Sequence, residues 1–434
     1  MDDYSTILIK NARILGKNEN ILQSLLIKND KIGDIGLEIP EANVDKIIDA
    51  QGKILMPGLI NTHTHVSMTL FRGLADDLSL DSWLNDYIWP TEAHLNGDYC
   101  YIGALLGCVE FIKSGTTTFN DMYFYMEDVA RAVEDSGLRA CLSYGMIDFN
   151  DSEKRENEIK ANLELFENCN NIADGRIQVF LGPHAPYTAS KDLLLKVRQL
   201  ADELNTKIHI HVSETQKEVE DMVEETGMRP FEFLDSIDFL GPDVIAAHGV
   251  WLSDNEIEII KRNNVKISHN PCSNMKLASG ISPVAQMIDE DICVSIGTDG
   301  ASSNNNLDLI EEMKTASLLQ KVSTLNPKVL NAAETVAMGT IKGAESLGLE
   351  DEIGSIEVGK KADIILVDRD AANMCPDSSE LSSNIVYAAK GCNVDTTICN
   401  GQILMENRKL TFLDEEEIYK KARIAIEQLK ALKD

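Results

Sequence analysis

Alternation between two kinds of segment constrains this fold more than any other feature of the sequence. Eight apolar runs rich in β-branched residues lie between residues 54 and 300, and stretches with helical periodicity separate most of them, as at 98–114, 190–205 and 253–262. Strands that alternate with helices indicate a parallel sheet, and eight such units predict a (β/α)8 barrel. The runs read ILMPGLINTHTH, TTTFND, RACLSYGM, IQVFLGPH, KIHIHVSE, VIAAHGV, VKISHNP and ICVSIGTDG.

The residues that end these runs predict where a functional site lies. Seven of the eight runs end in a histidine or an aspartate. The carboxyl ends of barrel strands meet at one face, and that face carries the active site of barrel enzymes. The residues concerned are His63, His65, Asp121, His184, His211, His248, His269 and Asp299.

Both ends of the chain differ from its middle. Short strand-like runs and turn signals fill residues 1–55 and recur in residues 354–411. We predict that these two segments form one composite β-sandwich domain and that residues 56–353 form the barrel. Residues 412–434 are predicted to hold a C-terminal helix with apolar positions at Ile418, Ala422, Ile424, Ile426 and Leu429.

Composition and charge exclude several classes of protein. The formal net charge is −31 and no cluster of Lys and Arg is present, which argues against a nucleic-acid or anionic-membrane surface. No apolar run approaches the roughly 18 residues of a membrane span. The N-terminal MDDYSTILIK lacks the regions of a signal peptide, and the nine cysteines include no C-x-x-C pair. We therefore predict a cytoplasmic protein with reduced thiols.

The sequence His63-Thr64-His65 predicts a metal site. Residues two apart on a strand point to the same side, so the two imidazoles can converge on one ion. His211 and Asp299 end other runs and complete a set of three imidazoles and one carboxylate, which suits Zn²⁺ and also Fe²⁺ or Mn²⁺. His209 is interpreted as a packing residue on the opposite face of its strand. Of the remaining histidines, His269 is predicted to be structural and His94 to lie at the surface.

Several stretches together resemble the amidohydrolase superfamily, in the branch of 5-methylthioadenosine/S-adenosylhomocysteine deaminases and the related 5′-deoxyadenosine deaminases. They run from about residue 52 to 368 and include PGLINTHTH, GTTTFNDMY, LGPHAPYT, IHIHVSET, AAHGVWLSD, SHNPCSNMKLASG, IGTDGASSNN and GSIEVGKKADIILVD. The resemblance implies a distorted TIM barrel and a mixed β domain made from both chain ends. A lysine at the end of the fourth run, expected in two-metal members, is absent.

The resemblance also implies a role for each residue that matches the superfamily motifs. It implies a single divalent metal, most simply Zn²⁺, and a nucleophilic hydroxide formed from water whose pKa the metal lowers to about 7. Glu214 would pass a proton to the purine and His248 would hold the hydroxide, while Asp299 would also shuttle a proton. Glu92 would accept the ribose hydroxyls and His184 would contact the substrate. The implied metal ligands are His63, His65, His211 and Asp299.

Each of these roles has a simpler alternative in the sequence. Glu214 could open the helix that SETQKEVE begins, and His248 could be a buried core histidine. Glu92 lies outside any barrel strand and could be a solvated loop acid, and His184 could cap a strand end.

The implied reaction is hydrolytic deamination of the adenine ring of a 5′-substituted adenosine. Relatives that accept S-adenosylhomocysteine tend to carry an arginine at the end of the third strand, whereas CLSYGMIDF has none and Arg139 precedes the strand. 5′-Deoxyadenosine, methylthioadenosine and adenosine are therefore the favoured substrates, and a homo-oligomer is expected. The alternatives are a guanine or triazine deaminase or a chlorohydrolase of the same superfamily, and a catalytically silent relative.

Overall fold

A computed structural model describes residues 4–17, 19–74, 76–78, 82–376 and 380–433. The described strands, in chain order, are β1 (Thr6–Ile14), β2 (Gln23–Lys28), β3 (Lys31–Gly36), β4 (Lys46–Asp49), β5 (Ile54–Pro57), β6 (Leu59–Thr64), β7 (Thr116–Tyr123), β8 (Arg139–Met146), β9 (Ile177–Val179), β10 (Gly182–Pro183), β11 (Ile208–Val212), β12 (Val244–His248), β13 (Lys266–His269), β14 (Val294–Ile296), β15 (Ile364–Val367), β16 (Val394–Cys399), β17 (Gln402–Glu406) and β18 (Lys409–Leu410).

Helices follow most barrel strands. The longer ones are Gly97–Ser114, Met126–Ser136, Ser152–Cys169, Lys191–Leu204, Gln216–Thr226, Asp254–Arg262, Leu309–Thr324 and Glu415–Lys433. Shorter helical segments are Val66–Phe71, Trp83–Ile88, Trp89–Glu92, Ile172–Gly175, Pro230–Ser236, Pro271–Lys276, Val284–Asp289, Ala301–Asn304, Ala332–Met338, Ile341–Leu347, Leu381–Tyr387 and Gly391–Asn393. The helices predicted at 98–114, 190–205 and 253–262 are confirmed to within one residue at each end. No described helix has both the length and the apolar composition needed to cross a bilayer.

Strands β6 to β14 form the predicted barrel, and every pairing among them is parallel. The strands form two groups, β6–β10 and β11–β14, which meet where Leu181 bridges Ile208. At the other junction the amide of Asp299 donates to the carbonyl of His63 at 3.0 Å. The carboxyl ends of all these strands therefore lie at one face, as the sequence predicts.

The fourth barrel strand is broken into β9 and β10, although the sequence predicts one run. Both pieces pair parallel with β8 in one register, Val179 opposite Leu142 and Gly182 opposite Gly145, and Leu181 between them bridges Ile208 of β11. Pro183 has no amide hydrogen to donate, which further limits regular pairing here.

Strands from both chain ends form the second sheet. Strand β5 pairs antiparallel with β15, which places Pro57 opposite Ile364, and β1 pairs parallel with both β4 and β5. This contact across more than 300 residues of sequence confirms that the chain ends share a sheet. The division into residues 1–55 with 354–411, 56–353 and 412–434 stays a proposal, and this shared sheet supports it.

A buried ion pair joins the second sheet to the barrel. Nε of Arg139, the first residue of β8, lies 2.9 Å from Oδ2 of Asp363, and both side chains are almost fully buried. Arg139 thus lies at the amino end of its strand, at the face opposite the strand ends that carry the histidines. This position agrees with the place of Arg139 ahead of CLSYGMIDF in the sequence.

The C-terminal helix Glu415–Lys433 packs against the helix Gly97–Ser114. Its residues Ile418, Ala422 and Leu429 are buried, as predicted. Ile424 is exposed, so its assignment to the apolar face is wrong. The reason is geometric: two residues along a helix correspond to about 200° of rotation, which places Ile424 on the side opposite Ala422.

Candidate active site

The four side chains that the sequence suggests as metal ligands lie together at the carboxyl face of the barrel. Nε2 of His63 and Nε2 of His65 each lie 3.3 Å from Oδ1 of Asp299. Nε2 of His211 lies 3.3 Å from Nε2 of His65. We refer to these four residues as the metal cluster, because three imidazoles and a carboxylate are a donor set that suits a divalent transition metal.

His248, at the end of β12, adjoins the metal cluster. Its ring, with those of His63 and His211, offers nitrogen atoms that all lie within 4.8 Å of one another. Nδ1 of His248 lies 2.9 Å from Oδ1 of Asn274, and Nε2 lies 3.7 Å from Oε2 of Glu214. Because the amide oxygen of Asn274 can only accept, His248 donates its Nδ1–H there and turns Nε2 towards the cluster.

Backbone carbonyls fix the orientation of two ligand imidazoles. Nδ1 of His65 donates to the carbonyl of Met122 at 2.6 Å, and Nδ1 of His211 donates to the carbonyl of His184 at 2.6 Å. A histidine that donates through one nitrogen presents the other as a lone pair, which is the usual arrangement around a protein-bound metal.

The electrostatics of the cluster fit a cation. Burial lowers the pKa of His63 to about 4, and burial together with neighbouring His184 places the pKa of His211 well below its ordinary value. Burial also opposes protonation of His65, but the hydrogen bond and charge of Asp299 outweigh it and raise the pKa of His65 to about 9. Neutral His63 and His211 supply lone pairs that a metal requires, and Asp299, whose negative charge favours a proton on His65, would equally favour a bound cation. The buried Nε2 of His63 has no hydrogen-bond partner among the described residues, as suits a ligand atom.

Three residues at this face have left-handed backbone conformations. Ser213, His248 and Asp299 have φ values of 57°, 76° and 59°. This region is disfavoured for residues with a Cβ, although Asp and His adopt it more often than most other residues. Each such residue costs of the order of 1–3 kcal/mol, and such strain is concentrated at functional sites.

A pocket opens directly over the metal cluster. Its floor contains His65, His211, Glu214, His248 and Asp299. Its walls are mostly apolar and include Trp83, Leu84, Ile88, Trp89, Phe124, Ile147 and Leu277. Among the described residues, no lysine or arginine lines this pocket. The site therefore suits an uncharged, largely aromatic ligand with one end against the cluster.

Glu92 and His184 line the same pocket, although neither belongs to the metal cluster. Glu92 ends the short helix Trp89–Glu92, and its Oε1 accepts a hydrogen bond of 2.5 Å from the hydroxyl of Tyr123. Burial raises the pKa of Glu92, and the Tyr123 hydrogen bond acts against that rise. Nδ1 of His184 lies 2.9 Å from Oγ1 of Thr188. The structure thus brings the predicted site residues to one pocket except His63, which is fully buried beside Asp299 in the metal cluster.

The sequence of the chain was compared with models of known families. The model of the amidohydrolase family matches residues 54–404, which is most of the chain. The chain belongs to the amidohydrolase family. The sequence-based assignment to this superfamily is thereby confirmed.

Two relatives that match this amidohydrolase over nearly their full length carry the same name. This chain is 75% identical over 428 residues to a 5′-deoxyadenosine deaminase of Methanobrevibacter smithii, with 98% of each chain covered. It is 53% identical to a 5′-deoxyadenosine deaminase of Methanosphaera stadtmanae, with 99% of this chain and 100% of the relative covered. Among solved structures, a zinc-bound adenosine deaminase from Xanthomonas campestris matches with a TM-score of 0.91, 33% identity and 98% of each chain covered.

The orientation of His209 differs from the one that the sequence analysis predicts, so that prediction is wrong. Residues two apart share a face of a strand, so His209 lies on the same side as His211, not the opposite one. Its Nε2 lies 2.8 Å from Nδ1 of His63, and its Nδ1 lies 3.4 Å from Oγ of Ser143. Since Ser143 donates its hydroxyl to the carbonyl of Asp121, it accepts from His209. A neutral His209 then accepts from His63, which leaves Nε2 of His63 facing the cluster.

Two serines that the sequence analysis missed orient Asp299. The hydroxyls of Ser273 and Ser303 donate to Oδ2 of Asp299 at 2.6 and 2.8 Å. The amide of Gly300 donates to Oδ1 at 2.8 Å. The carboxylate is therefore held with Oδ1 towards His63 and His65. The signal was present in the sequence, because both serines lie in the segments that come after barrel strands, Ser273 in SHNPCSN and Ser303 in GTDGASSN.

The remaining predicted polar residues lie outside the cluster. His269 is fully buried, and neither of its ring nitrogens has a hydrogen-bond partner among the described residues. His94 is exposed, as predicted. Asp121 is buried, and its Oδ1 accepts from the amide of Val66 at 2.9 Å; burial raises its pKa to about 7.

Proposed function

We propose that this amidohydrolase removes the 6-amino group from the adenine ring of 5′-deoxyadenosine and related 5′-substituted adenosines. One observation carries the proposal: a buried carboxyl, Glu214, adjoins the metal cluster at the floor of an apolar pocket. The 75% identity to a 5′-deoxyadenosine deaminase supports the same reaction. In that reaction the C6–N bond breaks and a C6–O bond forms. Of the two protons of water, one goes to N1 and one to the departing ammonia.

The proposed ligands of the metal are His63, His65, His211 and Asp299, and zinc is the proposed ion. Zinc is supported by the nitrogen-rich donor set and by the zinc-bound adenosine deaminase that this chain resembles. When bound, a divalent metal activates water as a nucleophile at neutral pH.

Glu214 is the proposed proton donor to N1 of the purine. Burial raises the pKa of its carboxyl, and the negative charge of nearby Asp299 adds to the rise. A carboxyl that keeps its proton can neutralise the charge that develops on N1 when C6 is attacked. The helix that follows is capped by the side chain of Thr215, which accepts from the amide of Glu218. Glu214 is therefore not needed to begin this helix, which was the simpler alternative for its role.

His248 and Asp299 are the proposed groups that handle the protons of the attacking water. Nε2 of His248 is available as an acceptor because its Nδ1 donates to Asn274. Oδ1 of Asp299 faces the cluster because the two serines hold Oδ2. Asp299 can therefore receive a proton from water and return it to the leaving amino group.

Glu92 is the proposed acceptor for the ribose hydroxyls, and His184 the proposed contact to the purine. Both line the pocket with Glu214. A carboxylate in this wall has a use for a nucleoside and none for a free guanine or triazine ring, so its position favours the nucleoside over the alternative ring hydrolases. The absence of a cation from the described pocket lining favours an uncharged 5′ substituent over the amino-acid group of S-adenosylhomocysteine.

Replacing Glu92 by alanine tests the nucleoside part of this proposal. The variant loses charge-assisted hydrogen bonds to the ribose, so kcat/KM for 5′-deoxyadenosine should fall about 100-fold, while that for free adenine should change little. Steady-state ammonia release with both substrates measures the two values. An equal loss on both would show that Glu92 does not bind ribose.

The predictions about cellular location and assembly rest on the sequence alone. They are a cytoplasmic location and a homo-oligomeric assembly. Light scattering of the purified protein measures its mass in solution and tests the second.

A further inference from the structure

The last three residues of strand β7 contact three different parts of the site. Oδ1 of Asp121 accepts from the amide of Val66, and the carbonyl of Met122 accepts from Nδ1 of His65. The hydroxyl of Tyr123 donates to Oε1 of Glu92. One end of one strand therefore holds both a proposed metal ligand and the carboxylate in the pocket wall.

Strand β7 is a rigid base for these contacts. It lies between β6 and β8 and is hydrogen-bonded to both, with Tyr123 opposite Tyr144. The side chain of Tyr123 is almost fully buried, and its ring lies 6.2 Å from that of His65. Glu92, by contrast, ends a four-residue helix outside the barrel and is only partly buried. The barrel therefore fixes the position of Tyr123, and Tyr123 in turn holds the carboxylate of Glu92.

The direction of this hydrogen bond matters for the pocket. An ionised carboxylate only accepts, so the phenol donates, and at 2.5 Å the bond is short for an O–H···O contact. The bond engages Oε1 and leaves Oε2 for a ligand. It also selects one rotamer of a flexible side chain, which lowers the entropy lost when a ligand binds.

We propose that Tyr123 is a positioning residue for ribose recognition, which holds Glu92 at a fixed place relative to the metal cluster. The inference rests on the proposed function, in which Glu92 accepts the ribose hydroxyls. Its consequence is that the sugar end and the purine end of the substrate are placed by the same strand. Tyr123 acts through Glu92 and has no part in the chemical step.

The test compares adenosine with 2′,3′-dideoxyadenosine, which lacks the hydroxyls that Glu92 would accept. The wild type, Tyr123→Phe, Glu92→Ala and the double variant are assayed for kcat and KM with both substrates. Tyr123→Phe should lower kcat/KM for adenosine about 10-fold, mainly through KM. It should leave kcat/KM for the dideoxy analogue nearly unchanged, which also shows that the variant is folded and active.

Tyr125→Phe is the matched control. Its hydroxyl lies two residues further along the chain and donates to the carbonyl of Leu95 at 3.0 Å, not to Glu92. The ratio of kcat/KM between adenosine and the dideoxy analogue should remain that of the wild type. In the Glu92→Ala background, Tyr123→Phe should have no further effect on this ratio, because the residue through which it acts is gone.

The outcomes separate this inference from the proposed function. If Glu92→Ala leaves the ratio between the two substrates unchanged, the proposed ribose site is wrong and the inference falls with it. If Glu92→Ala abolishes the preference for adenosine but Tyr123→Phe retains it, only the positioning role is wrong. Equal losses on both substrates in Tyr123→Phe, or a further loss of preference in the double variant, would also overturn it.

Discussion

Replacing His211 by alanine should remove the metal from this amidohydrolase and lower kcat for 5′-deoxyadenosine by about three orders of magnitude or more. His211 lies on β11 with its Nε2 3.3 Å from that of His65, so the variant loses one of the four proposed metal ligands. Metal content by elemental analysis and ammonia release by steady-state assay measure the two effects.

His94→Ala is the control for this variant. It makes the same chemical change at an exposed histidine outside the cluster, so metal content and kcat should match the wild type. Full metal occupancy in His211→Ala would show that the ligand set is wrong. Since His248 lies close to His63 and His211, such a result would move His248 into the ligand set.

Replacing Glu214 by glutamine should lower kcat by about 10²- to 10⁴-fold without loss of metal. Glutamine keeps the size of the side chain and can still form a hydrogen bond, but it cannot transfer a proton to N1, and that is the usual size of a general-acid contribution. Measuring kcat beside metal content separates the two roles, because a chemical defect lowers only the first.

Glu220→Gln provides the matched comparison, since Glu220 is an exposed residue of the helix that follows Glu214. Its kcat should equal that of the wild type. A Glu214→Gln enzyme with near-normal kcat would contradict the proposed proton transfer, and one with little metal would mean that Glu214 supports the cluster instead.

The barrel and its metal cluster could be predicted because both depend on short-range patterns. Alternating strand and helix periods fix the order of the barrel, and the ends of parallel strands must meet. His63 and His65 share a face because they are two residues apart. The same rule, applied consistently, places His209 beside His211 and into contact with His63, so that error came from the interpretation and not from a missing signal.

Other features depend on contacts that no local pattern encodes. Whether Glu92 is a solvated acid or part of the pocket depends on how the segment Trp83–Glu92 folds over the barrel. That in turn depends on contacts such as the hydrogen bond to Tyr123, 31 residues away in sequence. The break between β9 and β10 also has no local signal, because both pieces pair with β8 in one register and the interruption lies where Leu181 bridges β11.

Ammonia release by the purified, metal-loaded protein tests the central claim most directly. The substrates are 5′-deoxyadenosine, methylthioadenosine, S-adenosylhomocysteine, adenosine, adenine, guanine and cytosine, ranked by kcat/KM. We expect the 5′-modified adenosines without a charged group to lead, with S-adenosylhomocysteine behind them because no cation lines the described pocket. Turnover confined to free bases would contradict the account, since it would leave Glu92 without a function and make the protein a ring hydrolase of another kind.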